Sequence, residues 1–183
     1  GFVAATDVRG VALDGNVVVS VGGAEPALQQ HLLPELGPLG ATPVDGFRTQ
    51  GAKGTIESYA HRSYLGAGDG GMQVRGADGA LLAWIRNDQW GGTDQRPAVV
   101  NAVTVNSHLG FVAAGPQGIQ VVDLGRFDCD DDRTACGDCG LRVLGQLALE
   151  DGASCNMVKA KNGLLVVAAG RGGVKLVDMD FTR

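Results

Sequence analysis

The sequence predicts an all-β chain, a β-propeller of about four four-stranded blades or a fragment of a larger six- to eight-bladed one. Three observations carry that prediction. A strand ending Val-Ala-Ala-Gly, a short turn and a strand Gly-[Ile/Val]-[Gln/Lys]-[Val/Leu]-Val-Asp occur twice, as LGFVAAGPQGIQVVDL (109–124) and GLLVVAAGRGGVKLVDM (163–179). The unit they belong to recurs about every 45 residues, the period of propeller blades. Thirty glycines with only 5% aromatic residues suit many tight turns and small inward side chains.

Taken in order, the first unit holds VRGVAL (8–13) and NVVVSVGGAEPALQQHL (16–32), which keeps the apolar strand and loses the second glycine. The second holds GTIESY (54–59), YLGAGDGGMQVRG (64–76) and ALLAWI (80–85). The third holds VVNAVTV (99–105), the 109–124 repeat and LRVLGQLAL (141–149), and the fourth SCNMVKA (154–160) and the 163–179 repeat. Asp14-Gly15-Asn16 and Lys161-Asn162-Gly163 read as hairpin turns between first and second strands. The blades are expected at about 7–45, 46–94, 95–149 and 150–183, in a single domain. Residues 1–6, GFVAAT, would supply the outer strand that the fourth blade lacks, closing the ring. The proline-interrupted stretch 24–43 is expected to replace part of a blade, with a helical turn at Pro26–Leu33.

The physical reason for such an arrangement is that one twisted four-stranded sheet cannot bury both faces alone. Blades packed face to face around an axis do so, and the small residues Ala113, Ala114, Gly115, Ala168, Ala169 and Gly170 allow close approach.

A net charge of −5 gives no basic footprint for nucleic acid, and no apolar run approaches a membrane span. The chain opens at Gly1 without a signal-peptide pattern and ends at Arg183 as a tryptic cut would leave it, so a trimmed, processed or fragmentary chain is expected.

The units GFVAAGPQGIQVVDL and LLVVAAGRGGVKLVDMD resemble the LVIVP-type repeat of bacterial and archaeal secreted or surface propellers. The resemblance covers units three and four well, unit two partly and unit one poorly. It implies the propeller fold and an extracellular, periplasmic or cell-surface address. It transfers no activity, because the family's repeat residues are structural.

Residues 127–140, FDCDDDRTACGDCG, interrupt the third unit and are required by nothing in the repeat. Cys129, Cys136 and Cys139 lie there, and Cys155 opens the next unit. Four cysteines predict two disulfides in an oxidising compartment, with Cys129 joined to Cys136 or Cys139 and the remaining cysteine to Cys155. Tetrahedral zinc on the same four thiols is the alternative. Asp128, Asp130 and Asp132 stand at alternate positions, which lets their carboxylates face one hard cation, and Asp138 completes a candidate calcium set. Arg133 stands where a glycine normally permits the sharp turn, and no glutamate occupies the twelfth position, so a solvated acidic loop is the competing expectation.

His31, His61 and His108 form no ligand pair, and no nucleophile elbow, P-loop or dinucleotide fingerprint is present. Trp84 is expected between blades. Trp90, in the polar loop 87–95, is the expected ligand-contact residue, for a sugar or protein surface. The sequence thus predicts a non-enzymatic extracellular binding or assembly module, whose partner is a protein or a second chain completing the ring, homo-oligomers included. A metal-dependent propeller hydrolase or lyase and a filament or sheath subunit are the alternatives.

Overall fold

The computed structural model describes residues 7–22, 24–48, 52–90, 98–124 and 141–179. The strands are β1 (Val8–Asp14), β2 (Val17–Gly22), β3 (Ala27–Leu32) and β4 (Gly37–Pro43), then β5 (Ile56–Tyr59), β6 (Arg62–Gly66), β7 (Met72–Arg75) and β8 (Leu81–Ile85). They continue as β9 (Ala102–Asn106), β10 (Leu109–Ala113), β11 (Ile119–Asp123) and β12 (Arg142–Leu147), and end with β13 (Met157–Lys161), β14 (Leu164–Ala168) and β15 (Val174–Asp178). Each group is an antiparallel meander, so the chain forms three four-stranded blades and, among the described residues, a three-stranded fourth. Residues 1–6, the expected closing strand, lie outside the described residues.

The pairing register makes the repeat explicit. Val19, Tyr64, Phe111 and Val166 occupy one position of the second strand, because they face Gln30, Val74, Val121 and Leu176 of the third strands. By the same rule Leu28, Met72, Ile119 and Val174 are equivalent. On the first strands Val11, Ile56, Val103 and Val158 correspond. Alternation along each strand sends these two sets to opposite blade faces.

Three buried clusters follow. Val19, Val21 and Leu28 of blade 1 pack on Ile56, Leu65 and Ala67 of blade 2. Tyr64, Met72 and Val74 of blade 2 meet Val103, Val112 and Val122 of blade 3. Phe111 and Ile119 of blade 3 meet Val158, Leu165 and Val167 of blade 4. Every interface therefore joins the forward face of one blade to the backward face of the next, and among the described residues no buried cluster joins blade 4 to blade 1.

Backbone bridges tie the blades where the chain crosses over. Gly68 and Val100 exchange N–H···O bonds of 2.8 and 2.9 Å, and Gly115 and Cys155 exchange bonds of 2.8 and 3.1 Å. Gly68 and Gly115 hold left-handed φ of +59° and +60°, which explains the glycine that follows the small-residue stretch. The first interface is more polar. Arg75, buried in blade 2, donates to Pro43 O of blade 1 at 2.9 Å, to Gly79 O at 3.0 Å and to Gln73 Oε1 at 2.7 and 3.1 Å. Burial pulls its pKa below the usual guanidinium value.

One expectation is corrected here. Residues 24–43 do not hold a helical turn but the full strands β3 and β4. Leu28 and Gln30 point into the first interface and are buried, and the hydrogen-bonded edge of β2 extends the sheet through them. Pro26 and Pro34 flank the strand instead of interrupting it, where a missing N–H costs no ladder bond.

Candidate functional site

In a meander the first and third strands start, and the second and fourth end, on the same side of the ring. That side carries the blade-to-blade linkers, and between blades 1 and 2 it holds a groove of about 350 Å³. Three segments build it: the linker residues Asp45, Gly46 and Arg48, the β6–β7 turn at Asp69–Gly70, and the end of β8 with Trp84, Arg86, Asn87 and Asp88.

The local sequence explains how they come together. A Cβ at Gly70 would overlap the Asp45 carbonyl, so only glycine lets the turn lie against the linker. The Arg48 N–H donates to Asp69 Oδ1 at 2.6 Å, and Arg48 pairs with Asp45 at 2.9 Å. From below, Gln73 Nε2 donates to Asp45 O at 2.9 Å. The Trp84 indole N–H donates to Gly70 O at 2.5 Å, which fixes the half-buried ring as one wall. The Arg86 guanidinium lies over that ring, 4.4 Å from its centroid, and is exposed. Asn87 Nδ2 anchors the following short 3₁₀ turn, Asn87–Gln89, to Ala98 O at 2.6 Å. The result is an open groove with a flat aromatic wall, two guanidinium groups and three carboxylates. Such a surface grips a polar ligand by stacking and charge-assisted hydrogen bonds. Among the described residues no three His, Cys, Asp or Glu side chains gather as a metal site.

The predicted site residues fall elsewhere. Trp90, expected to be free in a polar loop, is 5% exposed and belongs to the cluster between blades 2 and 3. Its indole N–H is buried and, among the described residues, has no hydrogen-bond partner. The correction has a simple cause: burying the bicyclic ring in the cluster between blades 2 and 3 outweighs the polarity of its sequence neighbours. The tryptophan that reaches a groove is Trp84. The sequence signal for it was the Trp84-Ile85-Arg86 spacing at a strand end, which sets an arginine two residues beyond an aromatic on one side of the sheet.

Cys155, expected to cross-link the insertion, is a fully buried free thiol at the interface of blades 3 and 4. Burial pushes its pKa up to about 12. Asp128, Asp130, Asp132, Asp138, Cys129, Cys136 and Cys139 lie outside the described residues. His61 and His108 are exposed at hairpins, and His61 Nδ1 stands 3.3 Å from Asp14 Oδ1.

On the innermost strands Ala12, Glu57, Thr104 and Lys159 are equivalent. Glu57 Oε1 accepts the Val105 N–H at 3.4 Å and Thr104 Oγ1 accepts the Ala160 N–H at 3.2 Å, so each links its blade to the next. Lys159 reaches back to Glu57 at 2.6 Å.

No protein-family profile matches the chain, and no curated protein does. Solved structures do. The computationally designed Ika4 protein superposes with a TM-score of 0.67 at 16% identity, covering 98% of this chain and 94% of that one. The WD40 β-propeller domain of Doa1 superposes with a TM-score of 0.65 at 15% identity, over 95% of this chain and 52% of that one. A chain of the Mitotic Checkpoint Complex gives 0.65 at 14%, over 93% and 50%. The chain thus spans about half the length of the natural structures it matches. At these identities the likeness speaks of fold alone, and the fold is that of a β-propeller.

Proposed function

We propose that the chain is a non-enzymatic binding and assembly module whose linker-face groove holds an extended protein segment carrying a carboxylate side chain. The observation that carries this reading is the exposed Arg86 guanidinium stacked on Trp84 beside Arg48. A guanidinium already laid on an aromatic ring loses little freedom on meeting a carboxylate, and the indole offers apolar surface next to it. Propeller neighbours support a protein partner, since one of them is part of a named multi-protein complex.

The extracellular or cell-surface setting belongs to the same reading, as do one disulfide joining Cys129 to Cys136 or Cys139 and calcium on Asp128, Asp130, Asp132 and Asp138. These rest on the sequence and on the resemblance to LVIVP-type propellers. Calorimetric titration with millimolar calcium tests the aspartates: heat of binding is expected, and its absence removes calcium from the reading.

The groove is tested by selecting peptides on the intact chain from a displayed random library and titrating the tightest one by calorimetry. Trp84→Ala and Arg86→Ala are each expected to weaken it at least about tenfold, the loss of about 1.4 kcal/mol of contact. Selected peptides that bind both variants as tightly as the parent contradict the assignment.

A further inference from the structure

The two end blades expose apolar positions whose counterparts the internal interfaces cover. On the forward face of blade 4, Val174 is 69% exposed, whereas its counterparts Ile119 in blade 3 and Met72 in blade 2 are 1% and 0%; Leu176 is 67% exposed, whereas its counterpart Val74 in blade 2 is 0%. Met157, Leu164 and Val166 on the same face are also exposed, and the matching Ala102, Leu109 and Phe111 are covered by blade 4. On the backward face of blade 1, Val11 is 59% exposed, against 7%, 3% and 1% for Ile56, Val103 and Val158. Leu13 beside it is 63% exposed. The backbone repeats the pattern. Gly170 has the left-handed φ of Gly68 and Gly115, +57°, yet among the described residues it makes no bridge to a following blade.

We propose that these two faces are the halves of one joint, and that a second copy of this chain fills it. Blade 4 of each copy packs its forward face on blade 1 of the other, and one two-fold axis closes an eight-bladed ring. Two observations choose this occupant. The internal joints are all forward-to-backward, so the joint that continues the series is blade 4 to blade 1, and each copy carries both halves. The size also fits: this chain spans 52% of the Doa1 propeller domain and 45% of the designed Ika8 protein. A second stretch of this length completes a ring of that size. A two-fold contact pairing blade 4 with blade 4 would put forward face on forward face and leave Val11 and Leu13 uncovered.

The inference is independent of the groove, whose residues lie on neither open face. Its test is the mass of the 183-residue chain by sedimentation equilibrium from about 1 to about 100 μM, the range over which a dimer of ordinary affinity assembles. The parent chain is expected at twice 18.8 kDa. Val174→Asp with Leu176→Asp, and separately Val11→Asp with Leu13→Asp, are each expected to give 18.8 kDa with an unchanged far-ultraviolet circular dichroism spectrum. These side chains are exposed within one copy, so the aspartates leave the fold of that copy intact. A parent chain of 18.8 kDa throughout, an open-ended polymer, or a dimer that survives either pair of substitutions overturns the proposal.

Discussion

Blades 3 and 4 are written in nearly the same words, FVAAGPQGIQVVD and VVAAGRGGVKLVD, yet their forward faces end in opposite environments. Phe111 and Ile119 sit in a closed cluster with Val158 and Val167, while Val166 and Val174 face solvent. The difference teaches that the repeat encodes a face, and that burial of the face comes from the neighbour. An apolar residue at the position equivalent to Ile119 contributes to stability only when another blade covers it. In a repeat architecture stability is a sum of units and of the interfaces between them.

Substitutions at matched positions break this comparison most sharply. Phe111→Ala is expected to lose about 3–5 kcal/mol in urea unfolding, the usual effect of deleting a buried aromatic ring. Val166→Ala, at the same repeat position, is expected to change the stability of the isolated chain by no more than about 0.5 kcal/mol at low protein concentration. Equal losses at the two sites would show that blade 4's forward face is covered within one chain.

A smaller contrast tests the fourth strand. Gly118 and Gly173 share a left-handed φ, +74° and +73°. A Cβ at Gly118 would overlap the Leu147 carbonyl at the end of β12, whereas a Cβ at Gly173 meets nothing within 4 Å. Gly173→Ala is therefore expected to cost only the backbone strain of about 1–2 kcal/mol, and Gly118→Ala at least about 1 kcal/mol more, because β12 must shift. Thermal melts of the two variants read the difference.

The smallest effect is one of pH. Burial holds the folded Cys155 thiol at a pKa of about 12, against about 9 for a thiol in the unfolded chain. The unfolded chain releases this proton first, so the neutral thiol's contribution is fully present below about pH 9 and is lost as pH rises toward 12. Cys155→Ala is expected to reduce that alkaline loss, by up to about 1.4 kcal/mol for each unit of pKa difference. Urea midpoints at pH 7 and pH 10.5 compare the two chains.

The blades were legible because their signals are local: alternating apolar residues, a glycine after the small-residue stretch of blades 2, 3 and 4, and hairpin turns such as Asp14-Gly15-Asn16. What escaped is what depends on a neighbour. Trp84 and Trp90 exchange their expected surroundings because burial is decided by which blade packs against each ring. Residues 24–43 read as irregular because Pro26 and Pro34 mask a strand whose reason to exist is the edge of β2. The groove was not visible at all, since Asp45, Asp69 and Trp84 meet only through the linker packed on Gly70. The openness of blades 1 and 4 was equally hidden, because the repeat spells an apolar face whether or not anything covers it.

Thiol labelling at matched positions measures that openness directly. Ile119→Cys and Val174→Cys are each placed in a chain whose Cys129, Cys136 and Cys139 are replaced by serine, and alkylation is timed at rising protein concentration. The expected result is slow labelling of Ile119→Cys at every concentration, and fast labelling of Val174→Cys at dilution that slows as copies associate. Labelling of both at the same rate in dilute solution would contradict the four-blade order with two open ends.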